Sequence, residues 1–189
     1  KVPVTSALQI STGSYSHRGR KEANQDSLAS RAGAGSLLQT KGIAAAIADG
    51  VSASEFGGDA ARACVAGFLS DYFSTPESWS VRKSAQQILN ALNSWLYRQG
   101  FGNDQQASRV TTLSTVICKS TTAHIFHVGD SRIYRIREGN LEQLTVDHRT
   151  WVASDKNYLS RAMGSDVQLQ IDYVRHDLSE GELLLLSND

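Results

Sequence analysis

Aspartates stand where apolar runs stop. Asp49-Gly50 follows directly on Ile43-Ala44-Ala45-Ala46-Ile47-Ala48, Asp189 closes the run that begins at Leu183, and Asn24-Gln25-Asp26 immediately precedes the strand-like stretch Ser27 to Ser30. A carboxylate at the end of a buried strand projects from a sheet edge, and a glycine after it lets the backbone turn sharply and offer its carbonyl. Oxygen donors of this kind suit a hard divalent cation such as Mg²⁺ or Mn²⁺, and a pair of such ions can generate hydroxide and clamp a phosphoryl group. Taken singly, an Asp-Gly after a strand is most often a turn. Three carboxylates at strand ends of one short chain can converge on one site.

The elements that must hold them read as follows. Gly42 to Ala48 is a continuous apolar run and Val110 to Cys118 is dense in β-branched residues, so both are expected as strands of a sheet core. Thr121 to Val128 leads into Gly129-Asp130. Arg132 to Arg137 then sets Tyr134 and Ile136 on one face against Arg135 and Arg137 on the other, and Glu138-Gly139-Asn140 turns that strand into Leu141 to Thr145. Strict alternation predicts a half-buried strand over Gln168 to Tyr173, with Glu182 to Ser187 as its partner. Two helices are expected, Gly58 to Phe73 and Val81 to Gln99, the second with Val81, Ala85, Ile88, Leu89, Leu92, Trp95 and Leu96 along one stripe. Strands, two consecutive helices, then many strands without βαβ alternation is an α+β order: an antiparallel two-sheet core with helices packed outside.

Composition narrows the partners. The 189 residues carry 19 Lys+Arg against 19 Asp+Glu, which lacks the basic excess of a nucleic-acid grip. No apolar run approaches the roughly 20 residues of a membrane span. Cys64 and Cys118 form no Cys-x-x-Cys pair and are expected as buried free thiols in a cytoplasmic protein. No boundary or repeat divides residues 1–189, so a single domain is expected. The chain does not begin with Met and its last apolar run has no closing turn, which reads as a piece of a longer chain.

Residue order adds a resemblance. Gly19-Arg20-Lys21-Glu22-Ala23-Asn24-Gln25-Asp26, Ala48-Asp49-Gly50, Val110-Thr111-Thr112-Leu113, Gly129-Asp130-Ser131-Arg132-Ile133-Tyr134 with Leu144-Thr145-Val146-Asp147-His148, Tyr158-Leu159-Ser160-Arg161-Ala162-Met163-Gly164 and Leu184-Leu185-Leu186-Ser187-Asn188-Asp189 follow one another in the order of a known motif set. The chain thereby resembles the type 2C metal-dependent protein serine/threonine phosphatases, in particular their bacterial branch. That resemblance implies a β-sandwich flanked by helices in αββα layers. It also implies two Mn²⁺ or Mg²⁺ ions that activate water to hydrolyse phosphoserine or phosphothreonine in a phosphoprotein, sometimes in company with a protein kinase. It further implies that Asp49 bridges the ions, that Gly50 lends its carbonyl, that Asp189 binds one ion, and that Gln25 and Asp26 hold the metal's waters. A carboxylate between two cations is stabilised in its charged form, consistent with these roles.

The sequence also departs from the pattern. The phosphate-binding arginine is expected five residues before Asp26, where Lys21 stands with Arg20 beside it; Arg20 is favoured because only a guanidinium grips phosphate bidentately. Val51-Ser52-Ala53-Ser54-Glu55 supplies no histidine as general acid, a loss of ~10²- to 10⁴-fold in rate. Ser52-x-x-Glu55 reads as a capping box for the next helix. Asp104 is a candidate ligand for a third metal. Asp130 and Arg132 are expected to hold their hairpin, His148 to be structural, and His124 and His127 to point to opposite faces. The family continues with further strands and a late Asp-Asn motif, so the C-terminal strands are expected to lie beyond Asp189. The alternative reading is a catalytically weak or inactive phosphatase-like regulatory or binding module.

Overall fold

A computed structural model describes residues 8–100, 108–153 and 156–188. Its largest sheet is antiparallel, in the order β1 (Asp26–Ala32), β2 (Ile43–Asp49), β3 (Leu113–Lys119), β4 (Thr122–Val128) and β9 (Asp172–Asp177). A three-stranded sheet follows the order β10 (Leu183–Ser187), β5 (Arg132–Arg137) and β6 (Asn140–Gln143). A separate hairpin pairs β7 (Arg149–Ala153) with β8 (Lys156–Leu159). The helices are α1 (Ser36–Thr40), α2 (Gly57–Ser74) and α3 (Val81–Gly100), and the fold is α+β as expected.

Alternation along β3 and β4 sends side chains into two separate cores. Leu113 and Ile117 with Phe126 and Val128 face the helices, whereas Val116, Cys118, Ala123 and Ile125 face Ile133, Leu144, Leu184 and Leu186 of the smaller sheet. α2 is apolar on a broad face because it lies between the sheet and α3. Ala60, Cys64, Phe68 and Tyr72 recur at every fourth position, with Ala61, Val65, Leu69 and Phe73 one residue on, all buried. Each large side chain in that set contributes ~1.5–3 kcal/mol by leaving water. α3 starts at Ser80, whose Oγ accepts the Lys83 N–H at 3.1 Å. Its expected stripe is buried at Val81, Ala85, Ile88, Leu89 and Leu96, but Trp95 is exposed. Asn93 is buried instead, donating to the Asp166 carbonyl and accepting the Gly164 N–H. β5 passes to β6 through Glu138 and Gly139, both at positive φ, as a tight hairpin of this handedness requires.

One strand and one pairing differ from expectation. The strand at 168–173 is displaced to Asp172–Asp177, and it pairs with β4 at the sheet edge, while β10 pairs with β5 in the other sheet. Leu169, Ile171 and Tyr173 still pack against the helix-side core, which is what their alternation records. Leu184 and Leu186 belong to the core between the sheets, so the chain changes sheets between β9 and β10. Cys64 and Cys118 are buried free thiols, pushed up to about 12 and about 11 chiefly by burial. No helix among the described residues is long and apolar enough to cross a membrane.

Candidate metal centre

The ladder of β1 and β2 sets Asp26 directly opposite Asp49. Like charges in that position repel. Burial pushes the Asp49 carboxyl up to about 6, the neighbouring Asp26 adds to the rise and Lys21 opposes it. The backbone of Asp49 is gripped on both sides. Its N–H donates to Thr112 Oγ1 at 2.9 Å, and its carbonyl accepts from the Thr112 N–H at 2.9 Å and from Thr111 Oγ1 at 3.0 Å. Gly50 then donates to the Gln25 carbonyl at 3.1 Å, so what it offers the site is its own carbonyl. A Cβ on Gly50 would lie 2.3 Å from the Gly57 carbonyl carbon, because the first turn of α2 is pressed against this bend. The first turn of α2 thus lies beside Gly50 and Gln25.

Entry to β1 is set by Asn24, whose Oδ1 accepts the Asp26 N–H at 3.0 Å. Asn188, just past β10, reaches over from the smaller sheet and donates to Asp26 Oδ1 at 2.9 Å and to the Ala48 carbonyl at 3.1 Å.

Behind the carboxylates runs a buried polar chain. Thr112 Oγ1, which accepts from the Asp49 N–H, also shares a hydrogen bond with Ser131 Oγ, 2.7 Å away. His127 Nε2 faces the Val146 carbonyl at 3.0 Å and must carry the hydrogen, which leaves Nδ1 to accept from Ser114 Oγ at 2.8 Å. Burial, and then His148 beside it, bring the His127 imidazole down to about 4. His148 accepts the Gly129 N–H at Nδ1 (3.0 Å) and donates from Nε2 to Asp172 (2.9 Å). Both rings are fully committed to the scaffold, as expected for His148. His124 lies on the other face of β4 against the Tyr173 hydroxyl.

Of the site residues read from the sequence, Asp26, Asp49, Gly50 and Gln25 come together. Lys21 supplies a charge felt at Asp49. Asp189 and Asp104 lie outside the described residues. Among the described residues no three His, Cys, Asp or Glu side chains cluster closely enough to hold a metal ion by themselves. Asp130 pairs with Arg149, and Arg132 pairs with Asp147, so both serve the hairpin region. The capping box is not formed: α2 begins at Gly57 with no side-chain cap, too far along for Ser52 to serve it. Ser54 is instead buried, bonded to the Ser108 carbonyl and accepting the Val110 N–H at 3.2 Å, which ties the loop after Gly50 to the approach of β3. Sequence reasoning missed Asn188, Ser114 and the grip of Thr111 and Thr112 on Asp49. Thr111, Thr112 and Asn188 lie inside the quoted motifs, but nothing in their spacing states what they hold, and Ser114 shows only as a small polar side chain in a β-branched and apolar run.

The family model described as Protein phosphatase 2C matches residues 14–189. The chain belongs to the protein phosphatase 2C family. Solved structures share its fold. A Pseudomonas aeruginosa protein described as PppA, a key regulatory component of T6SS, superimposes with a TM-score of 0.73 at 22% identity over 91% of this chain and 74% of that one. The serine/threonine phosphatase Stp1 from Staphylococcus aureus gives 0.74 at 18% identity over 87% and 70% of the two chains. The catalytic domain of the serine threonine protein phosphatase PstP, in complex with two manganese ions, gives 0.69 at 22% identity over 88% and 71%. No curated protein matches the sequence significantly. Within the protein phosphatase 2C fold seen here, the strand ends that carry Asp26 and Asp49 meet the end of β10, which leads directly into Asp189.

Proposed function

We propose that this chain is the catalytic unit of a Mn²⁺- or Mg²⁺-dependent phosphatase that hydrolyses phosphoserine and phosphothreonine in phosphoproteins. The observation that carries the reading is the facing pair Asp26 and Asp49, at the junction of both sheets with no cation in direct ion pairing to either carboxylate among the described residues. The donor set fits hard divalent cations: carboxylate oxygens, the Gly50 carbonyl and the buried Asn188 Oδ1, unpartnered among the described residues. Family membership and the manganese-bound structure of PstP support the same reading.

Bound cations would supply water of lowered pKa and neutralise charge on the phosphoryl group. Asp49 would hold both ions, Gly50 and Asp189 would complete their shell, and Gln25 and Asp26 would orient water. Thr111 and Thr112 fix the Asp49 backbone and so the position from which its carboxylate projects. Lys21, with Arg20 beside it on the 18–22 turn, would attract the substrate phosphate. A lysine there gives a point charge in place of a bidentate fork. We infer a cytoplasmic location, supported by two buried unpaired cysteines, and a single domain over residues 1–189.

The second reading, a phosphatase-like regulatory module with little turnover, is favoured by one observation: the only side chain that the 51–55 segment buries at the site's edge is the hydroxyl of Ser54, and it is already bonded to the backbone. Hydrolysis of para-nitrophenyl phosphate and of a phosphothreonine peptide, with Mn²⁺ and with chelator, separates the two. The phosphatase reading predicts manganese-dependent turnover that Asp49→Asn removes. Metal binding without turnover on either substrate leaves the module.

A further inference from the structure

Among the described residues, Asn188 joins the end of the small sheet to both strands that carry the facing aspartates. It follows the last residue of β10, and its amide nitrogen reaches Asp26 Oδ1 on β1 and the Ala48 carbonyl on β2. Both partners are acceptors, so the amide has one possible orientation: Nδ2 spends both hydrogens there. Oδ1 is consequently turned away from them, and it is buried without a partner among the described residues. An amide side chain is short, so this oxygen lies within roughly 5 Å of the Asp26 carboxylate, one hydrogen bond and one amide group away.

We propose that Asn188 is a positioning residue for the divalent cation at this centre, an inference that rests on the metal-dependent reading above. Its charge-assisted bond to Asp26 selects which carboxylate oxygen is held and which is left for the metal's water, and its bond to Ala48 fixes the residue just before Asp49. With Oδ1 added to the aspartate oxygens, the centre presents acceptors in excess of donors, which is the arrangement that a hydrated cation completes.

The test is calorimetric titration of Mn²⁺ into the metal-free whole protein, with no substrate present. Asn188→Leu keeps the side chain's size and removes its donors; Asn188→Ala serves if the leucine variant does not fold. Tyr72→Phe is the control, because it unpairs the Lys41 carbonyl at the far end of β2 and so destabilises without touching the centre. Asn188→Leu is expected to weaken Mn²⁺ binding by about 10- to 100-fold, and Tyr72→Phe to lower the melting temperature while leaving Mn²⁺ affinity unchanged. Wild-type affinity in folded Asn188→Leu or Asn188→Ala overturns the inference, as does a loss matched by Tyr72→Phe. Asp49→Asn distinguishes the two levels. If it abolishes binding while the Asn188 variants retain it, only the positioning role falls; if the wild-type protein binds no Mn²⁺, the metal reading falls with it.

Discussion

Two polar clusters sit side by side at one end of the sandwich and are wired to each other through Thr112, yet they are built on opposite principles. Around His127 and His148 every ring nitrogen has a partner of the right kind. Around Asp26 and Asp49 two carboxylates face each other, Asp49 holds its proton up to about 6, and the buried Asn188 oxygen has no partner among the described residues. Both clusters bury polar atoms, which is costly unless hydrogen bonds compensate. The first is complete and functions as scaffold. The second is incomplete in the way that a binding centre is incomplete, and its deficit is of positive charge. Burial of titratable groups therefore does not mark the site here; facing carboxylates with an unpartnered amide oxygen beside them do.

The comparison breaks most visibly at Asp49. Asn in its place removes an interaction with bound cations that amounts to several kcal/mol of charge stabilisation, so phosphopeptide hydrolysis is expected to fall by about a thousandfold or more. The same change should raise, not lower, the melting temperature of the metal-free protein at pH 7, because it relieves the repulsion between Asp26 and Asp49. Thermal unfolding in chelator checks the second half.

Next in size is His127→Leu. It removes the ring's bonds to the Val146 carbonyl and to Ser114, whose hydroxyl keeps only the Ser131 carbonyl at 3.3 Å, at a cost of about 1–3 kcal/mol read from denaturant unfolding, with Mn²⁺ affinity retained. Thr112→Val lies on the wire between the clusters and should show a little of both defects. It leaves the Asp49 N–H and Ser131 without their partner, so a loss of ~1–3 kcal/mol in stability is expected together with roughly tenfold weaker Mn²⁺ binding.

The pH dependence of stability in chelator sharpens the contrast further. Asp49, at about 6 in the folded chain against an ordinary 3.8, keeps a proton that the unfolded chain releases, so its contribution declines as pH rises from about 4 to 6. His127, at about 4 against 6.5, does the reverse, and its contribution is lost as pH falls through the same range. Melting temperature measured from pH 4 to 7 should therefore climb more steeply with pH in Asp49→Asn than in the wild type, and less steeply in His127→Leu. The smallest expected effect separates two exposed cations. Lys21→Ala should raise the Michaelis constant for a phosphopeptide by up to about fivefold, and Arg20→Ala by less, since Lys21 is the charge felt at Asp49.

What was legible in the sequence follows from range. β2 and Asp49, the two long helices and the β5–β6 hairpin are written in continuous apolar runs, in a 3.6-residue period and in Glu138-Gly139, all of which act locally. The pairing of β9 and β10 was not legible. Leu169, Ile171 and Tyr173 alternate because they line the helix-side core, but only the β4 edge decides where the ladder begins. Asn188 was hidden for the same reason: its partners, Asp26 and Ala48, are 162 and 140 residues away, and an asparagine beside an aspartate has no periodicity to betray it. The preference for Arg20 rested on guanidinium geometry, and the charge of Lys21 bears on Asp49; which of the two binds phosphate is decided by the substitutions above.

The central claim, that the unbalanced acidic cluster works and the balanced histidine cluster only supports it, is tested most directly by turnover per folded molecule. Manganese-supported hydrolysis of a phosphothreonine peptide would be measured for wild type, Asp49→Asn and His127→Leu at a temperature where all three remain folded. The structure predicts that Asp49→Asn loses turnover with its melting temperature undiminished, and that His127→Leu keeps turnover close to wild type with its melting temperature clearly lowered. Turnover surviving in Asp49→Asn but vanishing in folded His127→Leu would contradict it.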